Sequence, residues 1–353
     1  MMNPNPRTLP RRKVSVDINS PLRLSIPSSG ALAQPALDLL RACGLGVLRT
    51  NSRTYTAEIP ALPGVAVSFQ RGSDITQKID EGSADLGIVG KDRFLESRRV
   101  DGETRVIIEL GFGSSQLVLG VPDAWVDVTS IADISELSME FRAEGSDLKI
   151  ATKYPRLVER HLLASGVNYF SLVQSSGTLE VAPAMGFADI IADITESGTT
   201  MRANHLKQID GGTLIASQAC LVGRRLRPGK DDAQLERARS LTDMIEAHLA
   251  ARKLYSVTAN MKGDTAEDVA GYVLDHADIS GLRGPTISKV YTQDAEGWFA
   301  VTVIVEQSRL LAAVEQLRSV GGTSVTVSQP NYVFDSSHKA YERLTANGVG
   351  RKS

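Results

Sequence analysis

Cysteine is scarce: Cys43 and Cys220 are the only two in 353 residues. Two thiols so far apart make neither a disulfide framework nor a thiolate zinc site, and they suit a reducing compartment. No uninterrupted apolar run approaches the ~18 residues a membrane helix needs, so no membrane association is expected. An excess of either charge is also missing. The 39 Lys+Arg against 41 Asp+Glu leave a formal −2, which argues against a nucleic-acid partner, because phosphate-tracking domains are strongly basic. The histidines (His161, His205, His248, His276, His338) show no metal-ligand spacing, and neither a P-loop nor a nucleophile elbow is present. Residues 1–20 carry Arg7, Arg11, Arg12 and Lys13 without an apolar segment, which argues against a secretory signal. At 42% hydrophobic and 23% charged, the composition is globular. The length implies two or three packed units, and the location expected is cytoplasmic.

The pattern along the chain is α/β. Residues 22–26 alternate with period two and read as a strand; Ser28-Ser29-Gly30 turns the chain, and a helix is predicted over 31–43 with Leu32, Ala36 and Leu40 on one face. Strands over 65–69, 84–90, 106–110, 117–121, 148–152 and 190–194 alternate with helices near 74–81 and 157–165, the signature of mostly parallel sheets. The polar stretch 130–146 reads as a helix or an insertion. A long helix over 233–251 carries Leu235, Ala238, Leu241, Ile245 and Leu249 on one stripe. After it the order becomes strand, helix, strand, strand, helix, strand up to residue 328, the βαββαβ ferredoxin-like unit. The end of the chain is polar and is expected to be loose.

The most informative segment is Asp189-Ile-Ile-Ala-Asp-Ile-Thr-Glu-Ser-Gly-Thr-Thr-Met201. An apolar strand ends at Asp193, and a loop with Thr195, Glu196, Ser197, Gly198, Thr199 and Thr200 opens a helix predicted over 200–206. Amides and hydroxyls there suit a phosphate monoester, and Asp193 suits the vicinal hydroxyls of a ribose. The same residues also suit a simple N-capped helix after a buried strand. Glu180, in a small-residue turn, is a candidate for a ribose or base edge, and equally a solvated loop carboxylate. Arg71, Lys91 and Lys153 follow strands and are candidate phosphate cations.

Taken together, Asp85-Leu-Gly-Ile-Val-Gly-Lys-Asp92, Ala151-Thr-Lys-Tyr-Pro155, Gly177-Thr-Leu-Glu-Val-Ala-Pro183, the Asp193–Met201 loop, Ser217-Gln-Ala-Cys-Leu221 and Gly281-Leu-Arg-Gly-Pro-Thr286 resemble the long form of ATP phosphoribosyltransferase, the first enzyme of histidine biosynthesis. The resemblance covers about residues 22–329. It implies a catalytic half like a type II periplasmic binding protein, with two α/β lobes and a cleft, and a C-terminal regulatory domain. The implied organisation is a flexible leader over 1–21, lobe I over 22–111 with 206–232, and lobe II over 112–205. A linker helix over 233–252, a ferredoxin-like domain over 253–330 and a polar tail over 331–353 complete it.

The resemblance further implies a glycosyltransferase that joins ATP to phosphoribosyl pyrophosphate. Asp193 and Thr195–Thr200 would face the phosphoribosyl group, and Gly30, Leu32, Glu180 and Val181 the nucleotide. Mg²⁺ would be carried by substrate phosphates without a committed protein ligand. Histidine would inhibit through Leu282, Gly284 and Thr286, in a homo-oligomer of dimers or hexamers. Relatives carry cations where this chain has Ser28, Ser29 and Ala31, and an arginine where it has Gln116; Arg53, Arg71, Lys91 and Lys153 are the candidate replacements. The competing reading is a paralogue that keeps the fold and serves as a sensing or regulatory subunit.

Overall fold

The structure, a computed structural model, describes residues 20–49, 51, 54–174, 178–275, 284–292 and 297–346. The chain forms two compact units, one of Met1–Arg41, Leu45–Ser240 and Tyr341–Ser353, the other of Ala42–Gly44 and Leu241–Ala340. Among the described residues no helix is long and apolar enough to cross a membrane.

The first unit opens with β1 (Leu22–Pro27), α1 (Ala33–Ala42), β2 (Thr56–Glu58), β3 (Val65–Gln70), α2 (Gly72–Asp80), β4 (Leu86–Gly90), α3 (Lys91–Ser97) and β5 (Arg105–Glu109). The chain then crosses to β6 (Ser115–Pro122), α4 (Ile131–Ala143), β7 (Leu148–Thr152), α5 (Pro155–Ala164), β8 (Phe170–Gln174), β9 (Ile190–Thr195), α6 (Thr199–Ala203) and β10 (Leu206–Ser217), and returns through β11 (Ala219–Gly223). The first sheet has the order β2-β3-β1-β4-β11-β5 and the second β10-β6-β9-β7-β8. In each, one strand that has crossed from the other lobe is inserted antiparallel to its neighbours: β11 beside β4 and β5, β6 beside β9 and β10. This is the two-lobed type II periplasmic-binding-protein-like arrangement, with two short crossovers as the hinge.

Hydrophobic periodicity explains why the lobes hold. β4, in the middle of its sheet, is buried along its whole length, and its Val89 meets Ile75 and Ile79 of α2 in one core. The second lobe buries Leu117, Leu119, Ile150, Leu157, Leu162 and Ile190, each contributing roughly 1.5–3 kcal/mol. The polar stretch 130–146 resolves into α4, started by a capping box in which Ser130 accepts from the Asp133 amide and the Asp133 carboxylate accepts back.

Two expectations need correction. Lobe I does not resume at residue 206: β10 pairs with β6 and belongs to the second sheet, so the return to lobe I begins at Ala219. The tail is also not uniformly loose. α7 (Asp232–Ala251) leads to the second unit, in which β12 (Leu254–Lys262), α8 (Ala266–Leu274), β13 (Thr286–Val290), β14 (Trp298–Glu306), α9 (Leu310–Ser319) and β15 (Thr323–Ser328) form an antiparallel sheet of order β13-β14-β12-β15. Val257, Val301, Val303 and Leu317 fill its core. That order is the ferredoxin-like one.

Beyond β15 the chain forms α10 (Lys339–Thr345). In the second unit His338 pairs with Asp243 at 2.8 Å. In the first, Leu344 is fully buried, Leu226 donates its amide to the Leu344 carbonyl at 2.9 Å, and Arg343 donates to the Ile107 carbonyl at 2.6 Å. Among the described residues its fully buried apolar side chains are Ala340 and Leu344, too few to show a periodicity, which is why its sequence reads as tail.

Candidate active site

The carboxyl ends of the parallel strands of both lobes converge on the hinge, where ligands of α/β sheets gather. Beside Gly90, where β4 ends, and the crossover at Gly113 lies a cleft of about 400 Å³, lined by Ala31, Leu32, Pro35, Asp92, Ser114, Ser115, Ile194 and Glu196 among others. Leu32 is seated by a glycine. A Cβ on Gly113 would lie 2.4 Å from the Leu32 Cδ2 atom, so the bare glycine leaves room for that methyl, and its φ of +65° is one that glycine adopts without strain.

The loop after β9 is built from its own hydroxyls. Thr195 Oγ1 accepts the Gly198 amide at 2.8 Å, and the Ser197 and Thr199 hydroxyls share a hydrogen bond at 2.8 Å. Arg202, which sequence reasoning passed over, reaches back to the Ser197 carbonyl at 2.9 Å. Gly198 takes φ +72°, and a Cβ there would meet the Arg202 guanidinium at 2.8 Å. The helix predicted over 200–206 is the single turn α6, ended by the onset of β10. Ser197, Thr199 and Thr200 are exposed. Beneath them Met201 packs with Leu179, Ala182, Ala188 and Ile191 in one cluster, which ties the phosphate-loop candidate to the turn that carries Glu180.

Asp193 is half-buried, and its Oδ1 accepts the Ile194 amide at 2.8 Å. Burial raises its pKa above the ordinary value of 3.8, and the Glu180 carboxylate adds to the rise; the Ile194 amide, Lys153 and Arg93 oppose it. Asp193, Glu180 and Lys153 are therefore brought together. Asp92 lies across the cleft, 7% exposed. Its carboxylate accepts the Ser217 hydroxyl at 2.7 Å and the Tyr154 hydroxyl at 2.7 Å. Burial first, then the Asp92 charge, pushes the Tyr154 hydroxyl pKa well up, so it stays a donor. This latch joins residues 62 and 125 positions apart, and no local pattern foretold it.

Other expected positions fall differently. Lys91 is spent: its ammonium pairs with Glu109 at 2.7 Å, a hydrogen bond that raises its pKa. Glu109 also accepts from Gln218 at 2.9 Å, and Gln218 in turn accepts the Gly111 amide at 3.0 Å, so this cation braces the hinge and is not a free phosphate cation. Arg71 is exposed at the N-cap of α2. Gly30 has φ +83° in the exposed turn after β1, and Val181 is 39% exposed. Ser28, Ser29, Ala31 and Gln116 are exposed and uncharged. Gly284, at φ +97°, and Thr286, which opens β13, lie in the other unit. Arg53 and Leu282 lie outside the described residues.

Family models place the chain. The model described as ATP phosphoribosyltransferase (HisG) matches residues 71–247, and the HisG C-terminal domain matches 251–330. A relative named ATP phosphoribosyltransferase 2, chloroplastic, from Arabidopsis thaliana is 38% identical over 95% of this chain and 82% of its own length. The chain belongs to the ATP phosphoribosyltransferase family. The enzyme of that name from Rhodopseudomonas palustris is 33% identical over 93% of this chain and 98% of itself. One from Chelativorans is 42% identical but spans only 60% of this chain, so family members occur in longer and shorter forms, and this chain has the longer one. A solved ATP phosphoribosyl transferase (HisG:HisZ) complex from Thermotoga maritima superposes with TM-score 0.50 at 24% identity, over 64% of this chain and 96% of that one, which supports the two-lobed fold.

Proposed function

We propose that this protein is an ATP phosphoribosyltransferase. It joins N1 of the ATP adenine to C1 of the ribose of phosphoribosyl pyrophosphate as the C1–O bond to pyrophosphate breaks, the first step of histidine biosynthesis. The observation that carries the reading is the half-buried Asp193 inside β9, two residues before the strand ends at Thr195 and the hydroxyl loop begins. Asp193 accepts from the vicinal ribose hydroxyls, while Ser197, Thr199 and Thr200 take the 5′-phosphate. Positive charge develops on the ribose as pyrophosphate leaves, so a fixed carboxylate and accurate positioning contribute more than a protein base. Leu32 and the turn at Gly30 offer an apolar wall to the adenine, with Glu180 and Val181 as polar and apolar partners.

Mg²⁺ takes oxygen ligands and rides largely on phosphate oxygens, so within this reading it comes with the substrates and is assigned no protein ligand. When bound, the ion neutralises charge on the pyrophosphate. Within the same reading, the C-terminal unit is an effector domain for histidine, with Leu282, Gly284 and Thr286 at its ligand. The protein assembles as a homo-oligomer of dimers or hexamers, and it works in the cytoplasm. A reducing compartment suits Cys43 and Cys220, both free and buried, with burial pushing each thiol up to about 12.

A spectrophotometric assay with ATP, phosphoribosyl pyrophosphate and Mg²⁺ tests the activity. Folded protein that makes no product at high concentration defeats it. Ser197→Ala combined with Thr200→Ala is expected to raise KM for phosphoribosyl pyrophosphate about 10-fold, the effect of two lost hydrogen bonds. An unchanged KM would put the monophosphate elsewhere.

A further inference from the structure

The cleft needs positive charge that its expected carriers lack. Ser28, Ser29, Ala31 and Gln116 are neutral, and Lys91 is held by Glu109. Arg93, which no sequence motif singled out, differs from the other cations. It is the third residue of α3, on lobe I, and its guanidinium lies 4.3 Å from the centroid of the Tyr154 ring, on lobe II. One Nη1–H donates to the Lys153 carbonyl at 3.4 Å.

Lys153 and Tyr154 follow β7, and β7 pairs in parallel with β9 in the register Thr152↔Ala192. Lys153 and Asp193 are therefore the next residues of two adjacent strands, and Arg93 crosses from the other lobe to their ends. A guanidinium carries five donors. Only the one at 3.4 Å has an acceptor among the described residues. Stacking on Tyr154 fixes the fork in advance, so little freedom is lost when a phosphate binds. The position is electrostatically coupled to the candidate site, because Arg93 and Lys153 both oppose the rise in the Asp193 pKa.

We propose that Arg93 binds the pyrophosphate group of phosphoribosyl pyrophosphate, supplying charge that Ser28, Ser29, Ala31 and Gln116 do not. This rests on the phosphoribosyl-transfer reading above for the identity of the donor. It needs no such support for the anion site itself.

Calorimetry with magnesium pyrophosphate and steady-state kinetics, run together, provide the test. Arg93→Ala is expected to weaken pyrophosphate binding about 10- to 100-fold, as the loss of charge-assisted hydrogen bonds implies, and to raise KM for phosphoribosyl pyrophosphate more than it lowers kcat. Arg93→Lys recovers part of both, because the charge returns without the fork. Arg160→Ala, which removes an exposed cation of α5, changes neither. If Arg93→Ala does not fold, Arg93→Gln, which keeps the stem, takes its place.

Wild-type pyrophosphate affinity in a folded Arg93→Ala or Arg93→Gln protein overturns the assignment, even where the wild type makes product. If the wild type binds pyrophosphate through Arg93 yet makes no product, the anion site stands and the phosphoribosyl-transfer reading falls.

Discussion

Asp193→Asn is expected to lower kcat/KM for phosphoribosyl pyrophosphate by about 10²- to 10³-fold, the usual effect of removing one fixed electrostatic partner from a transition state. Asparagine keeps the shape and still accepts the Ile194 amide, which Asp193 takes at 2.8 Å, but it brings no charge to the ribose. The acid side of the kcat/KM profile should change with it. Because burial raises the Asp193 pKa above 3.8, wild-type activity should fall as pH drops through that raised value and this carboxylate protonates, and the asparagine variant should lack that limb.

Stability should move the opposite way. A carboxyl whose folded-state pKa is raised favours the folded state most below the unfolded value, and that advantage is lost as pH rises through the folded one. At neutral pH, Asp193 is therefore a burden on the ligand-free protein. Asp193→Asn should melt higher than wild type at pH 7.5, with the gap closing towards acid. A variant with wild-type kinetics, or one that melts lower than wild type at pH 7.5, would remove Asp193 from the role assigned to it.

The elements that surround this residue were legible in the sequence because each obeys a local rule. Strands β1, β4, β7 and β9 carry dense apolar runs, the helices a 3.6-residue stripe, and the C-terminal unit an order of elements that few folds share. Legibility stopped where local rules stop. The lobe boundary expected at residue 206 falls at the wrong strand because β10, interrupted by Gly211 and Gly212 and slipping its pairing between Gln208 and Thr213, joins β6 in the second sheet, and nothing in its own residues says which sheet it enters. α10 is too short to show periodicity. The Asp92–Tyr154–Ser217 latch and the Lys91–Glu109 pair depend on which strands become neighbours, which composition does not encode.

The hydroxyl loop itself is ambiguous on spacing alone, since Ser and Thr cap ordinary helices. What distinguishes it is a half-buried acid in the strand that leads into it and a core shared with the Glu180 turn. Both follow from packing, and the sequence shows them only through resemblance to relatives.

The same motif that delivers Asp92 to the cleft carries, seven residues earlier, a group with a different task. Asp85→Ala is expected to destabilise the folded protein by about 3 kcal/mol, the low end for breaking a buried ion pair, because the Arg23 side chain keeps 40% of its exposure and water takes over part of its solvation. Asp85 is fully buried. Its Oδ2 accepts the Arg23 amide at 2.8 Å and Nε at 3.1 Å, and its Oδ1 accepts Arg23 Nη2 at 2.8 Å and Arg224 Nε at 2.7 Å. Arg23 lies on β1 and Arg224 just past β11, so one carboxylate ties together three adjacent interior strands at the ends away from the cleft.

Burial alone would raise the Asp85 pKa, but the hydrogen bonds from Arg23 and the charge of Arg224 overrule it and hold the carboxyl below 3.8. A group of that kind contributes stability above the unfolded-state value and loses it as pH falls through the folded one. Urea unfolding should therefore show the full deficit of Asp85→Ala at pH 7 and a smaller one in strong acid, below the ordinary carboxylate range. Catalysis should survive wherever the variant is folded, because Asp85 lies at the opposite ends of the strands from Asp92 and Asp193. Equal unfolding midpoints for variant and wild type at pH 7 would show that the two arginines find other partners and that this clamp is dispensable.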